Sequence, residues 1–240
     1  MTQSSKNSQA VSQVNNDVNF DYNFGNYNPN EVEVSDTINA VFIIDTSTSV
    51  DSYGKELNSA FNDFTARMQK SHAAANLFVS LVEFNDDVTI KTGFRPISEI
   101  PVIDLVPRIG GCTALYKACV EGLTNALDYR KDLENAGVNC KTLFFVITDG
   151  DDNASGNIKA SNVKAIIDDL LKEERNFFSF ESILFGVGNA VKFETAQKEM
   201  GIKHLAKVGT TADEIRKMIN FISSSITSVS TGNGFSAPTF

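Results

Sequence analysis

Three oxygen-bearing side chains alternate directly after a short apolar run. Asp45, Ser47 and Ser49 follow the run Val41 to Ile44. In an extended or tightly turning segment, this i, i+2, i+4 spacing lets three side chains face one point. Carboxylate and hydroxyl oxygens, without a nitrogen or thiolate, are the ligands that a hard divalent cation prefers. The spacing therefore predicts part of a cation site at the end of a strand.

Two other loops offer the same chemistry. Thr113 follows a pair of glycines, Gly110 and Gly111, and precedes a segment of helical period, while Asp149 ends the apolar run Leu143 to Thr148. The glycines let the backbone approach an ion closely and adopt unusual dihedral angles. The complete set of candidate metal ligands is Asp45, Ser47, Ser49, Thr113 and Asp149.

The elements that must position these ligands alternate along the chain. Apolar runs rich in β-formers are separated by segments of helical period, which is the pattern of a parallel sheet with helices on both faces. The stretch Val88 to Phe94 follows the preceding run after only three residues, so it is predicted to return as an antiparallel edge strand. The other predicted strands are Ala40 to Ile44, Leu77 to Phe84, Leu143 to Thr148, Phe180 to Val187 and His204 to Val208.

The predicted fold class is therefore a doubly wound α/β domain. Apolar residues at helical spacing predict three helices, whose apolar faces begin at Leu57, Leu115 and Val163. A last helix is predicted to begin at a capping box of Thr211 and Glu214. In such sheets ligands bind in the crevice beyond the carboxyl ends of the strands. All three candidate loops lie at strand ends or at a helix start, so we expect them to meet at that crevice.

The two ends of the chain differ from the middle in composition. Residues 1–36 are rich in Asn, Ser and Gln with scattered aromatics, and residues 228–240 are mostly Ser, Thr and Gly. Neither shows helical or strand periodicity, so we predict a flexible arm, a domain over residues 37–227 and a flexible tail. The arm is interpreted either as a disposable linker or as a segment that orders against a partner.

Charge and cysteine usage narrow the classes of function. The formal net charge is -9, which argues against binding to nucleic acid or to an anionic membrane surface. Cys112, Cys119 and Cys140 form neither an even disulfide framework nor a C-x-x-C zinc pair. The first residues are polar and no stretch approaches 18 apolar residues, so we expect a cytoplasmic protein without a membrane span.

In its site residues the sequence resembles the von Willebrand factor A family, which includes the integrin inserted domains. The family motif is D-x-S-x-S, a Thr after a glycine-rich loop and an Asp at the end of an apolar strand. All five positions are matched in order, and the resemblance extends over roughly residues 37 to 227. It implies a Rossmann-like fold and a metal-ion-dependent adhesion site for Mg²⁺ or Mn²⁺, in which hydroxyls bind directly and at least one Asp acts through water.

The resemblance also implies a function. A partner protein's Asp or Glu would complete the metal coordination, and the chain would be a binding or scaffolding module, not an enzyme, in an intracellular or viral assembly. Intracellular prokaryotic or phage settings are suggested by family analogy alone. The oligomeric state and the partner stay open.

Several alternatives remain at this stage. Asp45 and Asp149 could serve a metal-dependent phosphohydrolase, although Ser47 occupies the place where such enzymes carry a second Asp. The metal site could be vestigial in a structural subunit, or the serines could merely cap a helix while Asp45 accepts backbone amides. A calcium loop beginning at Asp151 is disfavoured because its twelfth position is Asn162 instead of a bidentate Glu.

Overall fold

The computed structural model describes residues 24–172, 179–189 and 192–238, apart from the side chain of Pro107. Six strands form one sheet in the order β3-β2-β1-β4-β5-β6. They are β1 (Asp36–Asp45), β2 (Leu77–Phe84), β3 (Val88–Pro96), β4 (Asn139–Thr148), β5 (Phe180–Val187) and β6 (His204–Val208). Their centres coincide with the predicted strands, because each combines a β-rich apolar run with polar or glycine boundaries.

The sheet is parallel except at one edge. β1 pairs in parallel with β2 and β4, β5 pairs in parallel with β4 and β6, and only β3 runs antiparallel to its neighbour β2. The turn between β2 and β3 is too short for a crossover, so the chain must reverse there. The predicted doubly wound α/β class with one antiparallel edge strand is confirmed.

Helices cover both faces of the sheet. They are α1 (Gly54–Met68), α2 (Leu115–Asn135), α3 (Ala160–Leu171), α4 (Phe193–Met200) and α5 (Ala212–Ser230). One core lies between the sheet and α1 and α5, and a second lies beneath α2, α3 and α4. Strand residues alternate between these cores, as Phe42 and Val41 do on β1, so the central strands are apolar on both faces.

Helix α4 was not predicted from the sequence. It is eight residues long and buries only Phe193, Ala196 and Met200, a pattern too short to stand out as periodic. Helix α5 begins as predicted, with Thr211 and Glu214 forming a reciprocal capping box. None of the helices among the described residues is long and apolar enough to cross a bilayer.

The chain ends that the structure describes lie against the domain. Residues 24–32 run along the outer edge of β3, where the Tyr27 backbone N–H donates to the Phe94 carbonyl at 2.7 Å. At the other end, the Phe235 ring packs 5.2 Å from His204 and 6.2 Å from Phe221, measured between ring centroids. The division into arm, domain and tail stays a prediction.

Candidate metal site

The two candidate carboxylates lie at the same edge of the sheet. Asp45 is the last residue of β1 and Asp149 follows directly on β4, and these strands are parallel neighbours with Ile44 opposite Ile147. Neighbouring parallel strands end at the same edge of the sheet, so the carboxylates at their two ends are brought to the same edge.

Asp45 is almost fully buried and its carboxylate is held from two sides. The side chain is 1% exposed; Oδ1 accepts the Ser47 backbone N–H at 2.8 Å and Oδ2 accepts the Thr148 hydroxyl at 2.5 Å. Thr148 is the last residue of β4 and was not predicted as part of the site. Both carboxylate oxygens therefore already have a donor from the protein.

The two serines extend from Asp45 towards Asp149. The Ser47 and Ser49 hydroxyl oxygens lie 3.3 Å apart, and the Ser49 hydroxyl donates to Asp149 Oδ1 at 2.6 Å. The 3-10 turn Thr48–Ser52 begins here, but Ser47 makes no side-chain capping bond to it. The serines therefore face the two carboxylates and not the following helix.

Backbone hydrogen bonds tie the Thr113 loop to the serine loop. Gly110 donates its N–H to the Thr46 carbonyl at 2.9 Å, and Thr48 donates its N–H to the Gly111 carbonyl at 3.2 Å. Gly111 has φ +79°, a left-handed conformation that favours glycine. Thr113 is buried, and its Oγ1 would lie only 3.4 Å from a Cβ placed on Gly150. The third loop therefore reaches the backbone beside Asp149.

The loop after Asp149 holds the start of α2. Asn153 Oδ1 accepts the Thr113 N–H at 2.8 Å, Asp152 Oδ1 accepts the Tyr116 N–H at 3.1 Å and Ser155 Oγ accepts the Lys117 N–H at 2.9 Å. These bonds satisfy amides that no preceding residue in the helix can pair. The stretch considered as a calcium loop therefore caps a helix and positions Thr113.

Electrostatics at this edge favour a positive ligand. Burial raises the pKa of Asp45 to about 6, against the opposing effect of the hydrogen bonds from Thr148 and Ser47, and the nearby Asp149 adds a smaller upward push. Burial also raises the pKa of Asp149, while the Ser49 hydroxyl lowers it. The buried Tyr53 hydroxyl lies close to Asp149, and its pKa is raised by burial and then by the charges of Asp149 and Asp45.

The donor set fits a small hard cation. Two neighbouring ligands of an octahedral Mg²⁺ ion are separated by about 3 Å, since each lies about 2.1 Å from the metal. The separations of 3.3 Å between the serine hydroxyls and 2.6 Å between Ser49 and Asp149 are close to this value. Among the described residues no group of three or more His, Cys, Asp or Glu side chains is placed to hold a metal ion.

Three solved structures are similar to the chain in fold. They are proximal thread matrix protein 1 from the mussel byssus with a zinc-occupied MIDAS motif (17% identity, TM-score 0.50), the PilB minor pilin from Streptococcus sanguinis (12%, 0.52) and the pilus adhesin SpaC from Lactobacillus rhamnosus GG (14%, 0.56). The matches cover 80%, 81% and 81% of this chain but 46%, 62% and 31% of those proteins. The chain thus spans less than two thirds of each.

A comparison with curated proteins found no match to the chain. The family comparison does: residues 39–231 match the von Willebrand factor type A domain. This range contains strands β2 to β6, β1 from residue 39 onwards and every residue of the candidate site. The chain therefore belongs to the von Willebrand factor type A domain family.

Proposed function

We propose that the chain is a divalent-metal-dependent protein-binding module of an adhesion or scaffolding type. The metal ligands would be Asp45, Ser47, Ser49, Thr113 and Asp149, and the metal Mg²⁺ or Mn²⁺. The observation that carries the proposal is the line of oxygen atoms from Ser47 through Ser49 to Asp149, spaced as neighbouring ligands of one small ion. When bound, the ion would supply a Lewis-acidic position that attracts a carboxylate.

The residues divide this work between them. Asp45 is engaged by Ser47 and Thr148, so it would hold the ion through water and neutralise charge from behind. Neutral hydroxyls would make most direct contacts, which leaves the ion more of its positive charge for a partner's Asp or Glu. Ser49 is exposed, so the site opens towards solvent where such a partner can reach it.

The same geometry disfavours the phosphohydrolase alternative. An attacking carboxylate needs a free oxygen that faces its substrate, whereas Asp45 is 1% exposed and both of its oxygens accept hydrogen bonds. The adhesion and matrix functions in the names of the similar proteins support a binding role for this family member. The cytoplasmic location proposed for this chain rests on its three free cysteines.

The proposal is tested by affinity capture with matched baits. Wild-type chain and the Ser47→Ala/Ser49→Ala variant are immobilised and exposed to host extract either with Mg²⁺ in excess or with EDTA. We expect a partner that is retained only by wild type with Mg²⁺ and is lost when its own contacting Asp or Glu becomes Ala. Equal capture under all conditions would favour the vestigial-site alternative instead.

A further inference from the structure

Residues 24–32, hereafter the strap, occupy a groove that is separate from the metal site. The groove is formed by the outer edge of β3, one side of α2 and the first half of β2. Its defining residues are Phe78, Ser80, Gly93, Phe94 and Asn125. β3 is an edge strand in the described sheet, so its outer backbone groups are open to pairing with an added segment. The strap makes such a pairing within the chain.

The pairing uses both backbone groups of Phe94. Tyr27 donates its N–H to the Phe94 carbonyl at 2.7 Å, and Asn26 Oδ1 accepts the Phe94 N–H at 2.8 Å. The Tyr27 ring packs against Phe78, with centroids 5.9 Å apart. Main-chain bonds combined with a side chain in an apolar pocket are the general form of peptide recognition at a sheet edge.

A chain of hydrogen bonds leads from Asn26 into the interior. Asn26 Nδ2 donates to Asn125 Oδ1 at 2.8 Å, Asn125 Nδ2 donates to Ser80 Oγ at 3.1 Å, and Ser80 donates to the Thr92 carbonyl at 3.2 Å. Asn125 and Ser80 are fully buried. Without Asn26 the Asn125 carbonyl oxygen would lose this partner, which is unfavourable for a buried polar atom.

The strap approaches the backbone of Gly93 so closely that there is no space for a side chain at this position. A Cβ at this position would lie 1.9 Å from the Phe24 carbonyl oxygen and 2.7 Å from Asn26 Oδ1. Its φ is not positive, so the backbone conformation itself does not call for glycine. The close approach of the strap does, and any larger residue would expel the strap from the groove.

We propose that this groove is a receptor for the Asn26-Tyr27 segment and that a second copy of the chain can fill it in trans, so that exchanged straps link two copies. The strap joins β1 through only residues 33–35. Exchange of an identical segment keeps all of these bonds and is a low-cost route to a dimer. The segment that fits the groove is present in every copy, and the metal site takes no part.

The first test supplies the segment as a labelled synthetic peptide of residues 20–34. The receptor is the full-length Asn26→Ala chain, whose own strap is weakened, in buffer with EDTA so that the metal site is silent. We expect saturable binding of the wild-type peptide and at least tenfold weaker binding of the matched peptide with Asn26→Ala. Equal affinities, or no binding of either peptide, would overturn the receptor.

The second test measures exchange between whole chains. Two wild-type copies with different tags are incubated together, one tag is captured, and the other is quantified. We expect co-capture that falls at least tenfold when both copies carry Asn26→Ala, with circular dichroism confirming that the variant is folded. Gly93→Ala, checked in the same way, is expected to reduce co-capture further. Absence of co-capture between wild-type copies would overturn exchange.

Discussion

The candidate metal site and the strap groove both gather polar side chains, but they differ in charge and in pairing. In the groove, Asn26, Asn125 and Ser80 are neutral, and each hydrogen bond leads to the next until it ends on backbone. At the candidate metal site two carboxylates lie close together, and burial raises the pKa of both. Neutral, fully paired polar groups stabilise a fold, whereas paired negative charge at an open edge stabilises a bound cation.

The largest effect is expected on metal affinity when Ser47 and Ser49 are both replaced. Ser47→Ala/Ser49→Ala removes two hydroxyl ligands, and we expect Mn²⁺ affinity measured by calorimetry to fall by at least about 100-fold. The free energy of unfolding should change by no more than about 1 kcal/mol, since these hydroxyls pair mainly with each other and with Asp149. Unchanged Mn²⁺ affinity would remove the serines from the site.

The opposite result is expected in the groove. Asn125→Ala leaves Asn26 and Ser80 without their shared partner, so urea unfolding should show a loss of about 1–3 kcal/mol. Mn²⁺ affinity should stay within twofold of wild type. The exposed Asn157→Ala serves as the matched control and should change stability by less than about 0.5 kcal/mol. A stability loss equal to that of the control would break the comparison.

A smaller effect is expected at Thr148, which belongs to β4 and also donates a hydrogen bond to a candidate metal ligand. Thr148→Val removes the hydroxyl that donates to Asp45 Oδ2 while keeping the shape of the side chain. We expect Mn²⁺ affinity to fall about tenfold, as is usual when the partner of a metal-associated group is lost. Rescue by Thr148→Ser, which keeps the hydroxyl, separates this positioning role from packing. Equal affinities for the Val and Ser variants would contradict it.

The smallest effect is expected at the loop that caps α2. Asn153→Ala deletes the acceptor for the Thr113 N–H, and loss of a helix cap costs about 1 kcal/mol of stability. Because Thr113 also loses its anchor, Mn²⁺ affinity should drop by a few-fold. Asn157→Ala on the same loop is again the control. An Asn153→Ala chain with both properties unchanged would show that this loop does not position Thr113.

Local sequence patterns were enough to predict part of the fold and part of the candidate site. The strands and the grouping of Asp45 with Asp149 were predictable, because each follows from an apolar run and the carboxyl ends of neighbouring parallel strands share an edge. Helix α4 was too short to show a period. The metal ligation itself stays a prediction, although the geometry brings the two carboxylates and the serines into one line of hydrogen bonds.

Contacts between distant residues could not be predicted in this way. Thr148 meets Asp45 across 103 positions, and Asn26 meets Asn125 across 99. The residues that cap α2 come from a loop about 40 positions later, whereas its own N-cap, Ala114, has no side-chain acceptor. Periodicity describes what a segment buries but not which distant side chain completes its hydrogen bonds.

The most direct test of the central claim is a crystal of the full chain grown with Mn²⁺, with anomalous scattering recorded to locate the metal. We predict one strong peak within about 2.3 Å of the Ser47 and Ser49 hydroxyl oxygens. That peak should be missing from crystals of the Asp45→Ala variant under the same conditions. Crystals of wild type that bind Mn²⁺ only elsewhere, or show the same peak in Asp45→Ala, would contradict the account.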